Sequence, residues 1–133
     1  MAIYEIQMKT FSEKRGLLSI AEFPNELPFA PVRIFFIQGV PVNTVRGEHA
    51  HKTTEQAIFC ISGGVSLRFH NGQTWESFSL TNNGVGLFIP ALHWGELSGF
   101  TPDARVLVLA SENYSSNEYI NDFDSFLTYF ARG

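Results

Sequence analysis

The chain has 133 residues, 44% of them hydrophobic, and a formal net charge of −4. That length fits a single domain over 1–133, the apolar content is too high for a disordered chain, and the acidic balance argues against a nucleic-acid binder. No signal-peptide pattern opens the sequence and no apolar run reaches membrane-spanning length, so a cytoplasmic protein with no membrane partner is expected.

Short apolar and alternating segments recur along the chain, punctuated by Gly, Pro and Asn. They predict strands over 3–8, 17–23, 32–37, 57–62, 65–70, 75–80, 85–89 and 106–110. Gly63-Gly64 joins two of these, and Asn71-Gly72, a favoured hairpin turn, joins the next pair. Such spacing predicts an all-β sandwich or barrel. The 13 phenylalanines supply much of its core, and Cys60, the single cysteine, is expected as a buried inert thiol. The tail changes period. Tyr119, Ile120, Phe123, Phe126, Leu127 and Phe130 recur at helical steps and predict a short C-terminal helix packed on the barrel or on a second subunit. Ser115 and Ser116 are its candidate caps, and Glu118 suits its positive first turn.

Chemistry concentrates in Arg46-Gly47-Glu48-His49-Ala50-His51-Lys52. If this segment is a strand, its period of two puts His49 and His51 on one face. Imidazole exchanges protons near neutral pH and also binds metals, so the pair suggests proton transfer or a metal site. His49, His51 and then Glu55 match the spacing of the first cupin motif, while Gly84, Pro90 and His93 approximate the second. Three imidazoles and a carboxylate suit a divalent transition metal. Arg68, between Leu67 and Phe69, is expected to point outward, and His70, beside the Asn-Gly turn, to be exposed.

The wider pattern resembles the nucleotide-sugar 3,4-ketoisomerases of the WxcM-like cupin family. The resemblance rests on Lys14-Arg15-Gly16-x-Leu18, Arg33-Ile34-Phe35-Phe36, the RGxHAHK segment, Cys60-Ile61-Ser62-Gly63, and the tail from Leu107 to Leu127. It implies a cupin jelly roll, usually dimeric. It also implies an isomerase that moves the ketone of dTDP-4-keto-6-deoxyglucose from C4 to C3 with no metal or organic cofactor, for surface-glycan sugars such as those of O-antigen. The resemblance assigns catalysis to His49 and His51, with their roles on carbon and oxygen interchangeable. Arg15, Arg33 and Arg46 are candidates for the diphosphate, because guanidinium groups grip phosphate oxygens in a fork. Arg46 or Lys52 is the candidate oxyanion donor, and His93 and Trp94 are assigned to the substrate pocket. Family members often carry tyrosine where this chain has Phe35-Phe36, which leaves the proton shuttle without that hydroxyl. A metal-dependent cupin using His49, His51, Glu55 and His93, and a non-catalytic sugar-nucleotide binder, are the alternatives.

Overall fold

The computed structural model describes residues 1–132. Its strands are β1 (Tyr4–Gln7), β2 (Lys9–Glu13), β3 (Gly16–Ile20), β4 (Arg33–Gln38), β5 (Arg46–His51) and β6 (Gln56–Ser62). There follow β7 (Gly64–His70), β8 (Trp75–Thr81), β9 (Val85–Ile89), β10 (Trp94–Ser98), β11 (Arg105–Ala110) and β12 (Tyr119–Ile120). A single 3-10 turn, Ser116–Glu118, precedes β12, and helix α1 (Phe123–Arg132) ends the chain.

The strands form a jelly roll of two five-stranded sheets, ordered β1-β9-β6-β11-β4 and β12-β5-β10-β7-β8. The strand pairings within both sheets are antiparallel. The inner faces meet in a core that takes Ile58, Leu87 and Val106 from one sheet and Leu67, Phe69 and Leu97 from the other. The outer face of the first sheet is covered locally by Leu27 and Phe29, which pack with Ile6, Ala57, Phe59 and Phe88 of its strands. That second cover explains why β6 is apolar on both faces, since a strand buried on both sides loses its polar alternation. The outer face of the second sheet is covered by the tail, where Phe126 and Ile120 pack on Ala50 and Trp94.

The predicted strands all form: 85–89 has the expected ends, most others differ by a residue at an end, and the 17–23 segment stops at Ile20. Three strands lack a sequence signal. β2 is polar and fully exposed, β10 carries a glycine inside a five-residue run, and β12 has two residues. Tyr119 and Ile120 therefore belong to a strand, pairing with His51 and Ala50, where helical spacing predicted the first turn of a helix. The helix starts at Phe123, and its cap is Asp122, whose Oδ2 accepts the Ser125 N–H at 2.9 Å. Ser115 makes no side-chain capping bond. The Asn71-Gly72 turn is longer than a two-residue hairpin, with Asn71 Oδ1 accepting the N–H groups of Gln73 and Thr74.

His70 is the clearest departure in burial. Expected at the surface, it is buried, accepts the Gly72 N–H at Nδ1 (3.0 Å), and meets Trp75, Phe123 and Phe126 edge-on. Arg68 does point outward, lying 4.0 Å over the Trp75 ring and paired with Glu96. Cys60 is buried, and burial pushes its thiol up from the usual range.

The hairpin of β2 and β3 pairs only with itself. Phe11, Leu17 and Leu18 are exposed on it, as are Val32, Ile34 and Phe36 on and beside the edge strand β4.

Phe126 has no exposed surface and joins α1 to the sheet that carries β5. Phe126→Ala is expected to destabilise the protein by about 3–5 kcal/mol, because it leaves a cavity as well as losing burial. Chemical denaturation measures this.

Candidate active site

Strand β5 is interrupted one residue before His49. Gly95 of β10 faces His49, but the next residue, Glu96, faces Gly47, so Glu48 is an extra residue without a partner. This is a β-bulge, and its residues have positive φ, 87° at Gly47 and 56° at Glu48. A side chain at Gly47 would place its Cβ 2.9 Å from the Gly95 carbonyl oxygen, so glycine is required there by both space and conformation. The bulge changes the phase of the strand. Arg46 and His49, three apart, would face opposite ways on a regular strand, yet both line one cavity here, together with His51.

That cavity measures about 150 Å³ and opens between the two sheets. Its polar lining includes Arg46, His49, His51, Thr54, Gln56 and His93, and apolar wall comes from Phe35, Phe69 and Ile89. Gly95 lets the Phe69 ring pack against the cavity wall, where a Cβ would stand 2.7 Å from that ring.

The imidazoles of His49 and His51 meet edge to face with centroids 5.0 Å apart. Each is tied at the same ring atom. His49 Nδ1 lies 3.0 Å from the Gly47 carbonyl oxygen, His93 Nδ1 lies 3.1 Å from the Ala91 carbonyl oxygen, and His51 Nδ1 lies 2.5 Å from Glu118 Oε1. Carbonyl and carboxylate oxygens only accept, so each Nδ1 carries a proton and Nε2 is the ring atom left to exchange one. The Nε2 atom of His51 is buried and has no hydrogen-bond partner.

Glu118 is the group that sequence reasoning missed. Expected in the first turn of an exposed helix end, it is buried in the 3-10 turn that precedes β12, 67 residues from His51. Its other oxygen accepts the N–H groups of Thr53 and Thr54, each at 3.3 Å. Burial alone would raise its carboxyl. The hydrogen bonds from His51 and Thr54 outweigh burial and hold it below the usual carboxylate range. The sequence signal for it is slight: an acidic residue beside Tyr119 in a tail whose apolar spacing points to packing.

Tyr119, the next residue, places its ring 5.0 Å from that of His49 and 4.5 Å from that of His51. Arg33 Nη1 donates to its hydroxyl at 3.4 Å, while Arg33 Nε and Nη2 are buried without partners. Tyr119 is thus a phenol close to both rings in a site whose β4 wall carries phenylalanine.

The other expected residues separate into two sets. Arg46 and His93 line the cavity with the two histidines. Arg15 does not; it sits at the tip of the detached hairpin and bonds Glu13. Lys52 turns outward, with Nζ on the Asn117 carbonyl at 2.9 Å and near the Tyr129 ring. Trp94 faces the opposite side of its sheet, packed against Phe123 and Phe126, with Nε1 donating to Glu96 at 3.0 Å. Glu55 of the alternative metal set borders a separate surface depression and takes no part in the cavity wall. Among the described residues, no three or more His, Cys, Asp or Glu side chains converge as metal ligands.

Burial pushes His49 below the usual imidazole value of 6.5, helped by the neighbouring His51 charge and opposed by the Gly47 carbonyl and Glu118. Burial also lowers His70 and His93. Their folded forms bind protons more weakly than the unfolded chain does. The stability this confers is present above the ordinary imidazole value and is lost as pH falls from there through the lowered folded values. Melting temperature is therefore expected to fall between about pH 7 and about pH 5, and His70→Phe to flatten part of that fall. Calorimetry across this range measures both.

The model of the family FdtA, described as WxcM-like, C-terminal, matches residues 1–131. A TDP-4-oxo-6-deoxy-alpha-D-glucose-3,4-oxoisomerase from Aneurinibacillus thermoaerophilus is 32% identical over 127 residues, covering 96% of this chain and 91% of that protein. A 3,4-ketoisomerase from Helicobacter canadensis superimposes with a TM-score of 0.94 at 34% identity, covering 98% of each chain. A mutant of the QdtA 3,4-ketoisomerase from Thermoanaerobacterium thermosaccharolyticum, in complex with TDP-4-keto-6-deoxyglucose, gives a TM-score of 0.94 at 31% identity. It covers 98% of this chain and 94% of that one.

Proposed function

We propose that this chain, which belongs to the FdtA (WxcM-like, C-terminal) family, is an isomerase that converts TDP-4-keto-6-deoxyglucose into a TDP-3-keto-6-deoxyhexose by acid–base proton transfer. The observation that carries the mechanism is the pair of imidazoles on one cavity wall, each with Nδ1 tied back and Nε2 left to exchange a proton.

The chemistry asks for such groups. The 4-ketone acidifies the proton on C3. A base removes it and leaves an enediolate with its charge on O4. The O3 proton then passes to O4, and the base returns its proton to C4, which leaves a ketone at C3 and a hydroxyl at C4. Each step moves a proton, and the electrons stay within the sugar. Two imidazoles with free Nε2 atoms can share this work, one at carbon and one between O3 and O4. The low titration of His49 keeps that ring neutral at neutral pH. Arg46, brought to the same wall by the bulge, is the candidate donor to the oxyanion that forms at O4. The tyrosine expected on β4 is replaced in this reading by Tyr119, whose ring lies against both histidines.

The cavity of about 150 Å³ is well below the roughly 300–1,000 Å³ of pockets that engulf a whole ligand. It suits the hexose, with the diphosphate and nucleoside on the rim. Arg33 has two unpaired guanidinium nitrogens for a phosphate oxygen. Arg15 is too far out on the hairpin to serve its own cavity, and we assign it to the site of a second copy. The exposed Phe11, Leu17 and Leu18 of that hairpin and the exposed Ile34 and Phe36 of β4 supply the apolar area for a homodimer. We place this dimer in the cytoplasm, making 3-keto sugars for aminotransferases that feed surface polysaccharides.

Incubation with TDP-4-keto-6-deoxyglucose, followed by NMR, is expected to show the 3-keto isomer. His49→Asn and His51→Asn are each expected to bind the nucleotide normally and to lose about 10²–10⁴-fold in kcat. Unchanged turnover in both variants would refute the acid–base assignment. Leu17→Asp with Leu18→Asp is expected to convert a dimer into monomers in analytical ultracentrifugation, while a monomeric parent protein would contradict the shared site.

A further inference from the structure

We infer that Glu118 is a positioning residue that fixes the tautomer and orientation of His51. This rests on the ketoisomerase reading of the same cavity.

The two rings differ in what holds them. His49 leans on a neutral carbonyl, that of Gly47, and is half-buried. His51 is 5% exposed and leans on a carboxylate. When Nε2 of a histidine takes a proton, the ring becomes a cation, and an ionised partner at Nδ1 stabilises that cation where a carbonyl does so far less. Of the two rings, His51 is therefore the better able to hold a proton while the sugar reacts.

Glu118 is itself held for this task. Its Oε2 is gripped by the Thr53 and Thr54 N–H groups, which leaves Oε1 for His51. Its backbone is tied to the same strand end, because Lys52 N–H donates to the Glu118 carbonyl at 2.8 Å. The His51 carbonyl in turn accepts the Leu92 N–H at 2.7 Å. Ring and carboxylate are thus fixed from separate directions, and rotation of either would leave a buried polar atom unpaired. The other charged or titratable groups around the pair are His49, Tyr119, Arg33, Lys52 and Glu112; Glu112 accepts the hydroxyls of Thr53 and Thr54.

The test joins two readouts. In the unliganded wild-type protein, ¹⁵N NMR of the imidazoles is expected to show His51 as the Nδ1–H tautomer, with Nε2 unprotonated. An Nε2–H tautomer would overturn the inference with no substrate present, whatever the activity proves to be. In kinetics with TDP-4-keto-6-deoxyglucose, Glu118→Gln is expected to lower kcat about 10–100-fold with KM little changed. Glu118→Asp, which keeps the charge, is expected to recover part of that loss. A Glu118→Gln protein with wild-type kcat would overturn the positioning role. So would a loss of equal size in both variants, which would mark Glu118 as a purely structural residue. Absence of turnover in the wild-type protein would instead refute the ketoisomerase reading, leaving the tautomer result to judge the placement of Glu118.

Discussion

A buried carboxylate meets a buried imidazole where the tail of the chain crosses the second sheet, and the site depends on that contact. Glu118 reaches His51 because β12 adds to the edge of β5, with Tyr119 opposite His51 and Ile120 opposite Ala50. The two-residue strand is too short to hold itself. It is held by α1, whose Phe126 packs on Ala50, Trp94 and Ile120. An unpaired buried carboxylate would be costly, so the tail and the strand end specify one another. Packing on the outside of the sheet therefore sets the chemistry on its inside.

The inner face is organised by a second device. The bulge at Glu48 turns Arg46 onto the wall that carries His49 and His51. Gly95 on the neighbouring strand lets the Phe69 ring pack close against it, and each of the three cavity histidines is tethered through Nδ1. The outcome is a small cavity whose imidazoles are held in place before any sugar enters. Groups already oriented need not be reorganised during reaction, and this is the main advantage a protein has over water in proton transfer.

Much of this was legible in the sequence, and the rest was hidden for identifiable reasons. The alternation around His49 and His51 placed both on one face, and it did so because three of the strand's last residues follow the regular pleat. Central strands such as β6 and β9 showed themselves by uninterrupted apolar runs. Arg46 was named, but its route to the cavity passes through a bulge that period-two counting does not foresee. Trp94 was read with His93, although adjacent residues on a strand face opposite sides, and only the position of β10 shows which side holds the cavity. Glu118 and Tyr119 were absorbed into a helical pattern because the aromatic spacing of the true helix continues by chance through β12. Long-range pairing decides such cases, and it leaves no local trace. Arg15 sits on a hairpin that pairs with no other strand of its own chain.

In the proposed reaction the C3–C4 edge of the sugar lies between the two Nε2 atoms. A crystal structure of the His49→Asn variant with TDP-4-keto-6-deoxyglucose tests this most directly. The hexose should lie in the cavity with its C3–C4 edge within about 3.5 Å of His51 Nε2 and with the diphosphate outside. A hexose resting on the outer surface, or one turned so that C3 and C4 face away from both histidine positions, would contradict it.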